Sequence, residues 1–180
     1  MNHAVCIFCA SSDSLDPQYV ALSAEMGRLC ARNDFHVIYG GAHSGMMGAL
    51  ADSALAHGGK VTGVIPEILK ERERAHTGLT ELIVTQDMHE RQKTMADLAD
   101  GFVILPGGLG TLAEFFEIVT WKQIGLHNKP ILILNHQGFW DDLLAMITKS
   151  TTLRFLHQNP QELFDVLSSL DEIFSFFAKK

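Results

Sequence analysis

The chain has 180 residues, 47% of them hydrophobic and 19% charged, and its 14 basic and 21 acidic side chains leave a formal net charge of −7. This is the composition of one soluble globular domain spanning residues 1–180, with enough length for a substantial core. An acidic chain with no basic, aromatic-laced stripe argues against a nucleic-acid partner, while a small anionic ligand stays compatible because local donors can outweigh a modest global field.

The elements follow in chain order. AVCIFCA at 4–10 fits a buried strand, and it is far too short to span a bilayer. With no charged leader or cleavage site ahead of it, a cytoplasmic protein with no membrane partner is expected. Cys6, Cys9 and Cys30 make no even disulfide framework. Cys6 and Cys9 have CxxC spacing, but strand positions three apart face opposite sides, so structural thiols are expected rather than a metal or redox pair. Pro17 opens a helix over about 17–33, and HVIYGG is a second strand ending on Gly40 and Gly41.

GMMGALADSALAHGG is a second helix and KVTGVIP a third strand. ILKERERAHTG reads as a short helix followed by a mobile loop. LTELIVT is strand four, and the next helix is DMHERQKTMADLAD, with Asp87 as its cap and Glu90 completing a capping box. GFVILP is strand five, PGGLG a turn, and TLAEFFEIVTWKQIGLH a long helix. KPILILN is strand six and GFWDDLLAMITKS a helix. TLRFLH reads as a short seventh strand, and PQELFDVLSSLDEIFSFF as helix to the end. Strands alternating with helices predict an α/β sandwich around a mostly parallel sheet of six to seven strands, buried on both faces.

In such a sheet ligands bind beyond the carboxyl ends of the strands. Three loops qualify, 10–16, 40–48 and 105–111. The first has no glycine where a dinucleotide fingerprint needs it, and no GKS or GKT follows the glycines elsewhere, so neither NAD nor ATP is expected as cofactor. In the third loop Gly107, Gly108 and Gly110 permit a tight path into a helix start, whose unpartnered N–H groups suit an anion. A plain tight corner capped by Thr111 explains the same residues. Glu114 and Glu117 lie one turn further on, close to one face, either as site carboxylates or as solvent-side charges. Arg91 stands at a helix start, where the dipole gives a cation nothing. Surface solubility, an ion pair with a glutamate and an anionic ligand are equally good reasons for it. The histidines fall into no HExxH or other ligand spacing, so no metal is expected.

MHERQKTM and PGGLGTLAEFFEIVTW, with Ser11 and Ser12, GGAHSGMMG and WKQIGLHNKPILILN, make the chain resemble the LOG ("Lonely Guy") family along nearly its whole length. These are cytokinin-activating phosphoribohydrolases, often labelled lysine decarboxylase-like. The resemblance implies a Rossmann-like fold, a homodimer, and hydrolysis of the N-glycosidic bond of adenosine 5′-monophosphates, cytokinin riboside monophosphate or AMP, to free base and ribose 5-phosphate. No cofactor is implied. By motif position Arg91 and Glu114 are catalytic. The substrate-contacting stretch is Gly108, Leu109, Gly110, Thr111, Leu112 and Ala113 up to Glu114, joined by Glu73, Glu117 and Thr120. Gln92 replaces the family's common lysine, removing a positive charge near a phosphate-bearing ligand. Ser12, Gly41 and Gly45 mark further substrate loops. The alternative is a protein of the same fold that binds a nucleotide or phosphorylated ligand without turnover. The homodimer is expected to use FFEIVTW and the apolar positions Met88, Met95 and Leu98 of the neighbouring helix.

Overall fold

The computed structural model describes residues 3–70, 74–156 and 158–178. Among the described residues, seven parallel strands form one sheet: β1 (Ala4–Phe8), β2 (His36–Tyr39), β3 (Val61–Pro66), β4 (Glu81–Thr85), β5 (Gly101–Ile104), β6 (Ile131–Leu134) and β7 (Asp165–Leu167). Their spatial order is β4-β3-β2-β1-β5-β6-β7. The chain therefore builds outward from β1 in one direction, then returns to β1's other side and builds the opposite way. Crossovers of one hand put the helices of these two halves on opposite faces. On one face lie α1 (Pro17–Arg32), α2 (Gly45–Ala56) and α7 (Leu170–Ala178); on the other lie α4 (Met88–Leu98), α5 (Leu109–Gln123) and α6 (Asp141–Thr152). The short α3 (Glu67–Lys70) follows β3.

The strands show why both faces can be covered. Val5, Ile7 and Cys9 join one core cluster while Cys6 and Phe8 join the other, and Val103 and Leu105 likewise separate from Phe102 and Ile104. A period of two with apolar residues at every position is what a doubly covered strand requires. It also puts Cys6 and Cys9 on opposite sides of the sheet, as their spacing predicts. All three cysteines are buried free thiols.

Three details differ from the sequence reading. Residues 152–156 of TLRFLH form no strand, its last residue lying outside the described ones: α6 runs through Thr152, and the chain then turns with Arg154 at φ 63 and Phe155 exposed. The seventh strand comes instead from Asp165–Leu167, inside the stretch read as continuous helix, where it pairs with β6 from Leu132 to Leu134. Leu163, Val166, Leu167 and Leu170 have helical spacing, but the free edge of β6 overrides that local preference. Second, α5 starts at Leu109, two residues before Thr111, and stops at Gln123 rather than running through IGLH. Third, Asp87 caps α4 by accepting from the Glu90 N–H at 2.8 Å, but the Glu90 carboxylate accepts from the Gln86 N–H at 2.7 Å, one residue before the cap itself. No helix among the described residues is long and apolar enough to cross a membrane.

Candidate active site

The reversal in strand order falls between β1 and β5, so the connections leaving these two strands diverge and open a crevice at their carboxyl ends. A cleft of about 310 Å³ lies there, lined by Cys9–Ser12 after β1, Met47 of α2, Leu69 of α3, Met88 and Arg91 of α4, and Gly108–Thr111 with Glu114 of α5. All three stretches expected from sequence thus reach the cleft, 10–16 and 105–111 directly and 40–48 through Met47.

Arg91 and Glu114 form its floor. Arg91 Nη2 lies 2.9 Å from Glu114 Oε1, and their side chains are only 6% and 7% exposed. Arg91 Nε donates to the Val64 carbonyl within β3, at 3.2 Å. Of the three reasons open for an arginine at this helix start, burial removes surface solubility, and the ion pair is present. A charge removed from water this completely needs its partner, and the two helices are held at one spacing by that requirement. The negative charge reaches further into the core. Burial first, and the Glu114 carboxylate second, push the thiols of Cys6 and Cys9 above their ordinary range, so both remain protonated.

The helix that carries Glu114, α5, opens on Gly108 as its cap. The first N–H groups of a helix have no intrahelical acceptor, and Leu109, Gly110 and Thr111 supply them at the cleft wall. The early start of α5 therefore places Gly110 in the first helical turn, among the cleft-lining residues.

Two glycines set the approach distances. A Cβ on Gly40 would stand 2.5 Å from Arg91 Nη2 and 3.1 Å from the Met47 Sδ-bound methyl, so only glycine lets the guanidinium lie against the end of β2. Gly45, at φ 58, would drive a Cβ to 2.3 Å from the Ser12 carbonyl oxygen, and its N–H donates to Asp13 Oδ1 at 3.2 Å. It seats the Ser11–Ser12 loop that lines the cleft.

The other expected residues divide clearly. Ser12, Gly108, Leu109, Gly110 and Thr111 line the cleft with Arg91 and Glu114. Gln92 does not: it is 2% exposed and donates through Nε2 to the Glu114 backbone carbonyl at 3.4 Å. Leu112 packs against the core, Ala113 is exposed, and Gly41 is buried against Ile65 and Leu82. Glu117 is half-buried outside the cleft lining; burial raises its carboxyl above the ordinary value, and His89 pulls it partly back. Thr120 lines a different cavity, between α5 and α6. Glu73 lies outside the described residues. Sequence reasoning missed Gly40, Met47 and Cys9; for Gly40 the signal was the glycine doublet ending β2, where the second glycine rather than the first was taken as the site residue.

This is the architecture of a Rossmann-like α/β protein with its ligand cleft at the topological switch point. A molybdenum cofactor binding protein from Rippkaea orientalis shares the fold, with a TM-score of 0.75 at 18% identity over 99% of this chain and 97% of that one. Residues 47–176 match the family described as "Possible lysine decarboxylase". The chain is 46% identical over 154 residues to a protein of Rhodococcoides fascians named cytokinin riboside 5′-monophosphate phosphoribohydrolase, covering 85% of this chain and 78% of that one. It is 40% identical over 153 residues to an Arabidopsis thaliana protein of the same name, covering 84% and 70%. The chain belongs to this family, the LOG family that its motifs resemble.

Proposed function

We propose that this protein hydrolyses the N-glycosidic bond of adenosine 5′-monophosphates, AMP or its N6-substituted cytokinin forms, releasing the free base and ribose 5-phosphate. The observation that carries the reading is that the buried Arg91–Glu114 pair and the start of α5 line one small cleft. In that reading the 5′-phosphate rests on the N–H groups of Leu109, Gly110 and Thr111, which orient the substrate through a part that does not react. As the bond from C1′ to the base breaks, positive charge develops on the sugar, and the Glu114 carboxylate stabilises it and directs the attacking water. Water supplies the hydroxyl at C1′, and its proton goes to the departing base. Arg91 holds the carboxylate in place through the ion pair.

The names of the relatives support the same reaction, whereas a decarboxylase acting through a lysine Schiff base would need a lysine in the cleft, and none lines it among the described residues. The reading extends to a cytoplasmic homodimer. Phe116, Met88 and Leu98 stay exposed on the α4–α5 layer, whereas Met95 is consumed by the monomer's own core. Light scattering over a dilution series should show twice the 19.9 kDa of one chain; an active monomer at micromolar concentration would remove the dimer. The function itself is tested by incubating the enzyme with AMP and with N6-isopentenyl-AMP and quantifying base and sugar phosphate. Equimolar release of both products is expected. AMP that binds but persists unchanged would mean a carrier instead.

A further inference from the structure

Away from the cleft, His43, Asp52 and His76 bring three ligand atoms within 4.8 Å of one another. None of the three lines the cleft. The placement comes from the backbone. An isolated antiparallel bridge joins Ala42 to Ala75, with His43 N–H donating to the Arg74 carbonyl at 3.1 Å and His76 N–H to the Gly41 carbonyl at 2.9 Å. Residues one step either side of a bridge pair project to the same side, and the two rings meet edge-on with centroids 4.7 Å apart. Asp52, on α2, completes the group from the third element, its Oδ1 2.9 Å from His76 Nε2.

We propose that these three side chains form a binding site for a borderline divalent cation of the zinc type. Two imidazoles and one carboxylate are the donor set such ions favour, with the remaining positions open to water. Tetrahedral zinc with bonds of about 2.0–2.1 Å needs ligand atoms roughly 3.3 Å apart. His76 is buried and fixed, whereas His43 and Asp52 are exposed and can turn about their own side-chain bonds to close the remaining distance.

The proton inventory balances. Gly78 N–H donates to His76 Nδ1 at 3.0 Å, so without metal the His76 proton is on Nε2 and is given to Asp52. On binding, Nε2 takes the cation and the ring proton moves to Nδ1. The cost is the Gly78 hydrogen bond, and Gly78 is exposed, so its N–H turns to water. That cost points to a micromolar rather than a nanomolar site. Its consequence is structural: the cation ties the loop after β2, which supplies Gly40 and Gly45 to the cleft region, to the segment leading into β4.

The test uses the full chain without a histidine tag. Calorimetry with Zn²⁺ should give one site with a dissociation constant of about 1–10 µM, and Co²⁺ should give the visible absorption of a low-coordinate N/O site. Zn²⁺ should raise Tm in the wild type by mass action. His43→Ala and Asp52→Asn, both exposed positions that leave the fold intact, should weaken binding at least tenfold and lose the Tm rise. Wild-type binding weaker than about 100 µM, or His43→Ala binding as tightly as wild type, would overturn the site. Base release is read separately, so failure of the hydrolase reading would leave this result untouched.

Discussion

Two concavities of this molecule differ in what surrounds them. The groove between α6 and β7 measures about 720 Å³ and is lined by Leu144, Ile147, Thr148, Thr151, Phe164 and Val166, with Asp165 its one charged lining residue, and that residue is exposed. The cleft at the β1–β5 switch is less than half that volume, yet it holds a buried ion pair and the open start of a fifteen-residue helix. Thr148 and Thr151 spend their hydroxyls on the carbonyls of Leu144 and Ile147, within their own helix. Among its lining residues the groove holds no buried charge. In the cleft, by contrast, two charges have been taken out of water, an arrangement that folding alone does not favour over an apolar pair. The smaller site is where charge has been taken out of water, and this supports the function proposed for it.

The comparison breaks most visibly at Arg91. Arg91→Ala leaves the Glu114 carboxylate buried without its partner, which should cost about 3–5 kcal/mol and lower Tm by roughly 10 °C. Turnover should fall by about a thousandfold. Arg91→Lys should recover only part of either, because a point charge cannot serve Glu114 and the Val64 carbonyl through one planar fork. Calorimetric unfolding and steady-state base release check both. If Arg91 acts through Glu114, the preference for AMP over adenosine survives in the alanine variant; loss of that preference would make Arg91 a phosphate ligand.

Gly40→Ala is the next step down. The added methyl must displace the Arg91 guanidinium, and a shift of about 1 Å at a reacting group is worth about a hundredfold in rate. The expected signature is a lower kcat with KM little changed, since no substrate contact is removed. An unchanged kcat would mean that Arg91 relaxes without disturbing Glu114.

In the groove, Thr148→Val and Thr151→Val should leave kcat/KM within about twofold of wild type. A loss like that of Gly40→Ala would reverse the assignment of the two concavities. The smallest effect belongs to Glu117. Its folded-state carboxyl is raised mainly by burial, so its stabilising contribution is complete below the unfolded value and is lost as pH rises through the folded one. Ionised near neutral pH, it opposes folding. Glu117→Gln should therefore raise Tm by roughly one or two degrees at pH 8 and by nothing at pH 3. An equal gain at both would assign the effect to something other than charge.

Much of the fold was legible because the buried strands are continuous apolar runs separated by amphipathic segments, a pattern that needs no knowledge of neighbours. Asp165–Leu167 was not legible, since three residues become a strand only through the edge of β6 that receives them. Within the site, the glycine loop and Glu114 could be read from a helix start and its first turn. Arg91 could be narrowed to three uses but not to one, because its partner lies 23 positions away on another helix. Gln92 was read as a ligand contact from the resemblance, because it stands in place of the family's common lysine, but adjacent helical residues face different ways, and Gln92 turns to the backbone of α5. The His43–Asp52–His76 group escaped the search for ligand spacings because its members come from a bridge and a helix, with no local repeat to reveal them.

The central claim is that the Glu114 carboxylate performs chemistry in the cleft rather than merely holding a ligand there. It is tested most directly by measuring AMP binding and adenine release on the same preparation of Glu114→Gln. The amide keeps the shape and a hydrogen bond to Arg91 but loses the charge that the developing cation needs. AMP affinity should stay within a few-fold of wild type while kcat drops by about a hundredfold or more. Adenine release at close to the wild-type rate would contradict the account.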